Sequence, residues 1–120
     1  MGRRSLLKKH PVLVNADSTV TQTSEYTDIS GIDFIQYQIE IDATVSCGFE
    51  IQFCNDDRID STSVWKPLDF SQVTSLNGAV DTSIMCLIEN MGFKFFRISL
   101  TSGSGTGDVN AWISGNVRGA

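Results

Sequence analysis

The stretch IDFIQYQIEI, residues 32–41, decides the fold class because its apolar and polar residues alternate one by one. One face carries Ile35, Tyr37, Ile39 and Ile41, and the other carries Gln36, Gln38 and Glu40. A period of two in β-branched and aromatic residues is typical of a strand with one buried face. This segment therefore predicts a half-buried β-strand.

The same pattern recurs outward from this strand. CGFEIQFC (47–54) alternates in the same way, and VWKPLDF (64–70) predicts a short edge pair broken by Pro67. Asn77-Gly78 is a turn signal. SIMCLIENMGF (83–93) is the segment whose apolar residues come nearest to a helical period of 3.6. Because it is short and contains Gly92, we interpret it as a strand and a turn. Seven or eight short strands predict an all-β fold, an antiparallel β-sandwich of jelly-roll-like arrangement rather than a barrel.

The C-terminal stretch FFRISLTSGSGTGDVNAWISG, residues 95–115, predicts a closing hairpin. Two apolar runs flank a loop that contains Gly103, Gly105 and Gly107. Glycine adopts positive φ at little cost and lets another backbone approach closely. We therefore expect the loop tip to contact another subunit, and a bulky residue at Gly105 to weaken assembly with little loss of domain stability.

Charge divides the 120-residue chain unequally, although the net charge is only −5. The first ten residues carry four basic side chains and no acid, which leaves a net −9 on the rest. We therefore predict an extended N-terminal arm at 1–17 and a β-sandwich domain at 18–120. Arg3, Arg4, Lys8 and Lys9 are candidate interface residues of this arm, for an acidic surface such as a neighbouring copy. The acidic domain disfavours nucleic acid as a partner.

No pattern in the chain supports catalysis, a metal or a cofactor. His10 is the only histidine and lies in the arm, so a catalytic triad in the domain is excluded. Three cysteines without CxxC spacing are interpreted as small apolar thiols, with a disulfide left open. The Gly/Ser loop lacks a phosphate-loop ending, and the oxygen-rich loop NDDRID (55–60) is interpreted as solvated rather than as a calcium site. We expect no enzyme activity, no membrane span and no signal peptide.

Trp65 and Trp112 are the candidates for a platform on which a sugar ring could stack. Trp112 has the opposite parity to Ala111 and Ile113, which places it on the outer face if those two are core. Asp108 and Asn110 would then be available as polar contacts. The alternative, which we favour, is a tryptophan that covers the sheet or is buried by a neighbouring subunit.

Three segments resemble a family of small virion proteins of tailed bacteriophages. They are VNADSTVTQTSEYTDI (14–29), VWKPLDF (64–70) and MGFKFFRISLTSGSGTGDVNAWISGNV (91–117), the last being the most specific. The resemblance implies a β-sandwich that serves as a head-decoration, head–tail or tail accessory component. It carries architecture and no catalytic residue.

Two functions follow as expectations. The first is a non-enzymatic structural protein of a phage particle, assembled in the host cytoplasm, whose arm and loops contact other copies and other virion proteins. Its candidate assembly residues are Arg3, Arg4, Lys8, Lys9, Gly103, Gly105, Gly107 and Trp112. The alternative is a carbohydrate-binding module of a host-recognition appendage, in which Trp112 would lie in a solvent-facing groove.

Overall fold

The computed structural model describes residues 5–67, 74–79, 82–89 and 92–117. Within these residues the chain forms strands and no helix. The strands are β1 (Ser5–Asp17), β2 (Gln22–Thr23), β3 (Thr27–Asp28), β4 (Phe34–Ile41), β5 (Ser46–Cys54), β6 (Lys66–Pro67), β7 (Thr74–Asn77), β8 (Ser83–Glu89), β9 (Phe95–Ser104) and β10 (Asp108–Asn116). The all-β prediction is therefore confirmed, and SIMCLIE is a strand as expected. In the described part of the chain, no helix is long and apolar enough to cross a membrane.

Two antiparallel sheets form the fold. The first sheet, called sheet A, has the order β1-β10-β4-β8. The second, sheet B, has the order β2-β9-β5-β6, with β3 also beside β9 and β7 also beside β5. If β2 with β3 and β6 with β7 are each counted as one interrupted strand, each sheet has four strands, and their order is that of a jelly roll. The predicted β-sandwich of jelly-roll type is confirmed.

The core lies between the two sheets. The predicted inner residues of β4, Ile35, Tyr37, Ile39 and Ile41, are all buried. Tyr37 of sheet A meets Phe49 of sheet B edge-on, with ring centroids 6.1 Å apart. Burial of the inner faces of β4, β5, β9 and β10 stabilises the sandwich, at about 25 cal/mol for each Å² of apolar surface removed from water.

The predicted C-terminal hairpin is wrong, because β9 and β10 lie in different sheets. β9 pairs with β5, and β10 pairs with β4 and β1. The inner residues Ile98 and Ile113 are both fully buried, but they enter the core from opposite sides. Alternation identifies each strand and its buried face without specifying which strand it pairs with, so the two apolar runs fit a hairpin and a sheet crossing equally well.

The stretch predicted as an N-terminal arm contributes, over residues 5–17, the edge strand of sheet A. β1 pairs with β10 from Ser5 opposite Asn116 to Asp17 opposite Asp108. Shifts of register interrupt the pairing near Lys9 and Asn15, which have φ values of 45° and 49°. These bulges break the period of two, which is why the strand is hard to recognise in the sequence. An arm free of the domain would require β1 to separate from β10.

Candidate assembly surfaces

Trp112 lies on the outer face of sheet A, as its parity predicts. Ala111 and Ile113 on either side of it are fully buried, whereas Trp112 itself is half-buried. The ammonium of Lys9, from the neighbouring strand β1, lies 4.8 Å from the centre of the Trp112 ring. A cation over an indole face is stabilising by about 0.5–1 kcal/mol at an exposed site. The fold thus joins two of the predicted interface residues in one contact.

The bulges of β1 hold Lys9 in this position. The Lys9 N–H donates to Ser114 Oγ at 3.0 Å, and the Asn15 N–H donates to Asn110 Oδ1 at 2.8 Å. Both acceptors lie on β10, on the same outer face as Trp112. At each bulge, a backbone N–H group of β1 therefore bonds to a side chain of β10. These two bonds lie on either side of Trp112 along β10.

The other basic candidates are not brought into this contact by the described structure. Arg3 and Arg4 lie outside the described residues, and Lys8 is described only as backbone in β1. The role of these three residues in an interface stays a prediction.

The glycines at the end of β9 and in the loop that follows it pack against other residues of the same chain. A Cβ atom at Gly103 would lie 2.0 Å from the carbonyl oxygen of Ser46, and one at Gly105 would lie 1.9 Å from that of Thr44. A Cβ atom at Gly107 would lie 2.5 Å from Oδ2 of Asp42. These glycines allow the end of β9 and the loop after it to lie directly on residues 42–46, which are the β4–β5 connection and the first residue of β5.

Hydrogen bonds fix the same loop. Thr44 Oγ1 donates to the Thr106 carbonyl at 3.2 Å, and the Asp108 N–H donates to Asp42 Oδ2 at 3.1 Å. The loop between β1 and β2 joins them, since the Ser18 N–H donates to the Gly107 carbonyl at 3.1 Å. A tip free to meet another subunit was predicted, but this loop is anchored within the molecule. A contact between its exposed surface and a partner stays a prediction.

The oxygen-rich loop at 55–60 uses its carboxylates locally. Asp57 forms an ion pair with Lys94, which holds the pKa of the Asp57 carboxyl below its ordinary value. Asp60 accepts hydrogen bonds from the Thr62 side chain and backbone, and these lower the pKa of its carboxyl. Among the described residues, no three His, Cys, Asp or Glu side chains lie close enough together to hold a metal ion.

An aromatic cluster on the outer face of sheet B was only partly anticipated. Tyr26 lies 6.3 Å from Trp65 and 5.5 Å from Phe95 between ring centroids. The guanidinium of Arg97 covers the Trp65 ring at 4.3 Å, and its Nε donates to Gln52 Oε1 at 2.7 Å. Trp65 was a candidate from its residue type alone. The alternation of FFRISL also places Arg97 on the outer face, so the sequence contains a signal for it.

The cysteines are free thiols in different surroundings. Cys47 and Cys54 are buried, whereas Cys86 on β8 is exposed. Burial raises the pKa of the Cys47 thiol. Buried thiols were expected, and two of the three cysteines match that expectation.

Exposed apolar side chains on the edge strands of sheet A were not predicted. Met85 and Leu87 of β8 are 58% and 65% exposed, and Val14 of β1 is 67% exposed. The sequence SIMCLIE gives no sign of this because nearly all its residues are apolar. Both of its faces therefore suit burial, and only the pairing with β4 decides that Met85 and Leu87 lie on the outer face, opposite Gln38 and Gln36.

Comparisons with known proteins identify no family. No model of a protein family matches the chain, and no curated protein matches it. A chain in the "Structure of infectious bursal disease virus Gx strain" is similar to it with a TM-score of 0.43 and 10% identity. The alignment covers 99% of this chain and 32% of that chain, so this chain spans about a third of the length of its neighbour. The jelly-roll assignment rests on the strand order and burial of the chain itself.

Proposed function

We propose that the chain is a non-enzymatic structural component of a bacteriophage particle, of the capsid-decoration, head–tail or tail accessory type. The observation that carries the proposal is the exposed apolar surface on both edge strands of sheet A, at Val14 on one side and at Met85 and Leu87 on the other. Exposed apolar surface is typical of protein contacts. A subunit with such surface on two sides is suited to having neighbours on two sides.

The sequence resemblance to small virion proteins and the jelly-roll fold agree with this role. Jelly rolls are frequent in viral capsids, although the same fold also serves lectins and other proteins. Lys9 belongs to a basic N-terminal stretch on an otherwise acidic chain. Copies or partners could therefore attract one another through opposite charges, which favours encounter in the correct orientation.

Quantitative mass spectrometry of the purified particle tests the proposal. We expect the chain in many copies per particle, in a fixed ratio to the major capsid or tail protein, and assembled in the host cytoplasm before cell lysis. Its absence from particles whose genome encodes it would refute the proposal. A parallel assay for hydrolase and transferase activity should give no turnover, and turnover would refute the non-enzymatic part.

A carbohydrate-binding module remains the second candidate, favoured by the cluster on sheet B. Tyr26 is 51% exposed beside Trp65, and Arg97, which covers the Trp65 ring, bonds to the polar side chain of Gln52. Aromatic rings with adjacent hydrogen-bonding groups are suited to stacking on a sugar. Titration with a glycan panel should show binding that Trp65→Ala abolishes. Trp112→Ala is the matched control, since Trp112 lies on the outer face of the other sheet, away from this cluster.

A further inference from the structure

Three of the four sheet edges in the described structure are protected against pairing with another chain. In β1, Pro11 lacks an N–H group, and bulges at Lys9 and Asn15 distort the edge. The edges of sheet B are built from pieces of two to four residues, β2 with β3 and β6 with β7. Short strands, proline, lysine and bulges are the usual means by which proteins block edge-to-edge association.

The edge strand β8 has none of these features. It pairs with β4 in uninterrupted register over seven residues, from Ser83 opposite Glu40 to Glu89 opposite Phe34. It contains no proline, glycine or lysine, and its outward side chains Met85 and Leu87 are apolar and largely exposed. A long, regular, apolar edge is suited to adding another strand.

The alternation of hydrogen bonds along β8 shows which of its backbone groups would pair with an added strand. The Ile41 N–H donates to the Thr82 carbonyl at 3.0 Å, and the register places these two residues opposite each other. In an antiparallel ladder such bonded pairs recur at every second residue. Ile84, Cys86 and Ile88 therefore bond to β4. Ser83, Met85 and Leu87 direct their N–H and C=O groups away from it.

We propose that this edge binds β8 of a second copy of the chain, with the two strands antiparallel about a two-fold axis at Cys86. This register pairs the whole strand, because Ser83 and Glu89 are equidistant from Cys86. Met85 then lies opposite Leu87 of the second copy, and the outward-directed backbone groups meet each other in bonded pairs. If the axis passed between two residues, the outward-directed N–H and C=O groups of one copy would instead face residues of the other copy whose backbone groups already bond to β4.

Side-chain chemistry supports the same partner. On the outer face the two strands bring together two methionines and two leucines, which covers the side chains that are exposed in the single copy. Glu89, the only charged residue of β8, falls opposite a serine rather than opposite its own copy. Like charges directly across a strand pair would be destabilising, and this register avoids them. The two sheets A become one continuous sheet.

The inference deepens the proposed function by naming an assembly surface, and it rests on that function for its biological setting. Its test uses the isolated full chain. If the chain is found in particles but does not dimerise through β8, the inference fails and the proposed function stands. If the chain dimerises through β8 but is absent from particles, the proposed function fails and the inference stands.

Amide hydrogen exchange in the monomer and in the dimer gives the sharpest test. Sedimentation over a concentration series should show a monomer–dimer equilibrium. In the monomer, the amides of Met85 and Leu87 should exchange fast, while those of Ile84 and Cys86 are protected by β4. In the dimer all four should be protected. A chain that stays monomeric at every concentration, or a dimer in which Met85 and Leu87 still exchange fast, would overturn the proposal.

A pair of variants separates the edge from general surface effects. Met85→Lys should weaken dimerisation by about tenfold or more, because a charged side chain would be desolvated at the centre of the contact. Val64→Lys changes an apolar residue of the same 58% exposure, in the segment before β6, and it should leave dimerisation unchanged. Equal weakening by both, or by neither, contradicts an interface at β8.

Cross-linking through Cys86 tests the position of the axis. In a pair without backbone bonds the two Cα atoms lie about 4.5 Å apart, which is within the range that a disulfide spans. Copper–phenanthroline with oxygen, which accepts the two electrons and two protons that the thiols lose, should rapidly yield a disulfide dimer. The control is Val64→Cys in a Cys86→Ser background, at a site 58% exposed. Cross-linking of the control at the same rate would show random collision and overturn the axis at Cys86.

Discussion

The loop between β9 and β10 gives a prediction whose size can be worked out residue by residue. Gly105 has a φ of 80°, and a Cβ there would lie 1.9 Å from the Thr44 carbonyl oxygen. Alanine at this position would therefore be destabilising for two separate reasons, the left-handed backbone and the steric overlap. A bulky residue here was expected to weaken assembly with little loss of domain stability, and the structure instead predicts a large loss of domain stability.

Two other glycines isolate the two costs. Gly31 has nearly the same φ, 78°, but a Cβ there meets nothing within 4 Å, so Gly31→Ala measures the backbone cost alone. Gly103 has no positive φ, but its Cβ would lie 2.0 Å from the Ser46 carbonyl oxygen, so Gly103→Ala measures the overlap alone. The left-handed conformation costs about 1–2 kcal/mol for alanine. Overpacking typically costs about 1–3 kcal/mol.

Gly105→Ala should therefore lower the free energy of unfolding by about 2–5 kcal/mol, close to the sum of the other two variants. Alanine also restricts the unfolded chain, and this stabilises all three variants by about 0.4–1 kcal/mol and leaves their order unchanged. Urea unfolding followed by tryptophan fluorescence, or the shift of Tm, measures all three. If Gly105→Ala is no more destabilising than Gly31→Ala, the loop does not lie on residues 42–46, and this reasoning is refuted.

Three further predictions follow from single contacts. Leu13→Ala should lower the free energy of unfolding by about 2–4 kcal/mol, because Leu13 is 5% exposed and packs β1 onto the core opposite Ala111. If its effect in the urea assay is as small as that of Val14→Ala, β1 is not held by the core. Burial, and then a hydrogen bond with Cys86, raise the pKa of the Tyr37 hydroxyl in the folded protein. The contribution of Tyr37 to stability is therefore present below the unfolded pKa of about 10, and it is lost as the pH rises above that value. Unfolding measured from neutral to alkaline pH should therefore show a shallower loss of stability for Tyr37→Phe than for the wild type, with Tyr26→Phe as the control, and identical slopes would contradict the burial of Tyr37. Lys9→Met should remove a stabilisation of about 0.5–1 kcal/mol and change the emission of Trp112, whereas unchanged emission would place the ammonium away from the ring.

The strands that alternate regularly, and their buried faces, were predictable because both depend on local periodicity. IDFIQYQIEI and CGFEIQFC fold as β4 and β5, with the expected residues buried. The outer position of Trp112 followed from the same rule. The pairing of β9 with β5 rather than with β10 was not predictable, because it depends on contacts between residues far apart in the chain.

Part of the candidate site could be read from residue types, and part could not. Lys9 and Trp112 were both named from the sequence, but their contact depends on bulges in β1 that the sequence pattern obscures. The loop glycines were identified correctly as points of close backbone approach. The sequence could not say that the approaching backbone is the chain's own segment 42–46 rather than a partner's.

By itself, then, the sequence determined an all-β chain with alternating strands and an outward-facing Trp112, because alternation fixes which side chains can be buried whatever the strand order. Only the tertiary structure decided which strands are neighbours, which loops support one another and which edge is left without protection. These features arise when segments distant in sequence are brought together by the core. The exposure of Met85 and Leu87 is the clearest case, since these residues are as apolar as buried ones and are exposed because the pairing of β8 with β4 puts them on the outer face of sheet A, opposite Gln38 and Gln36.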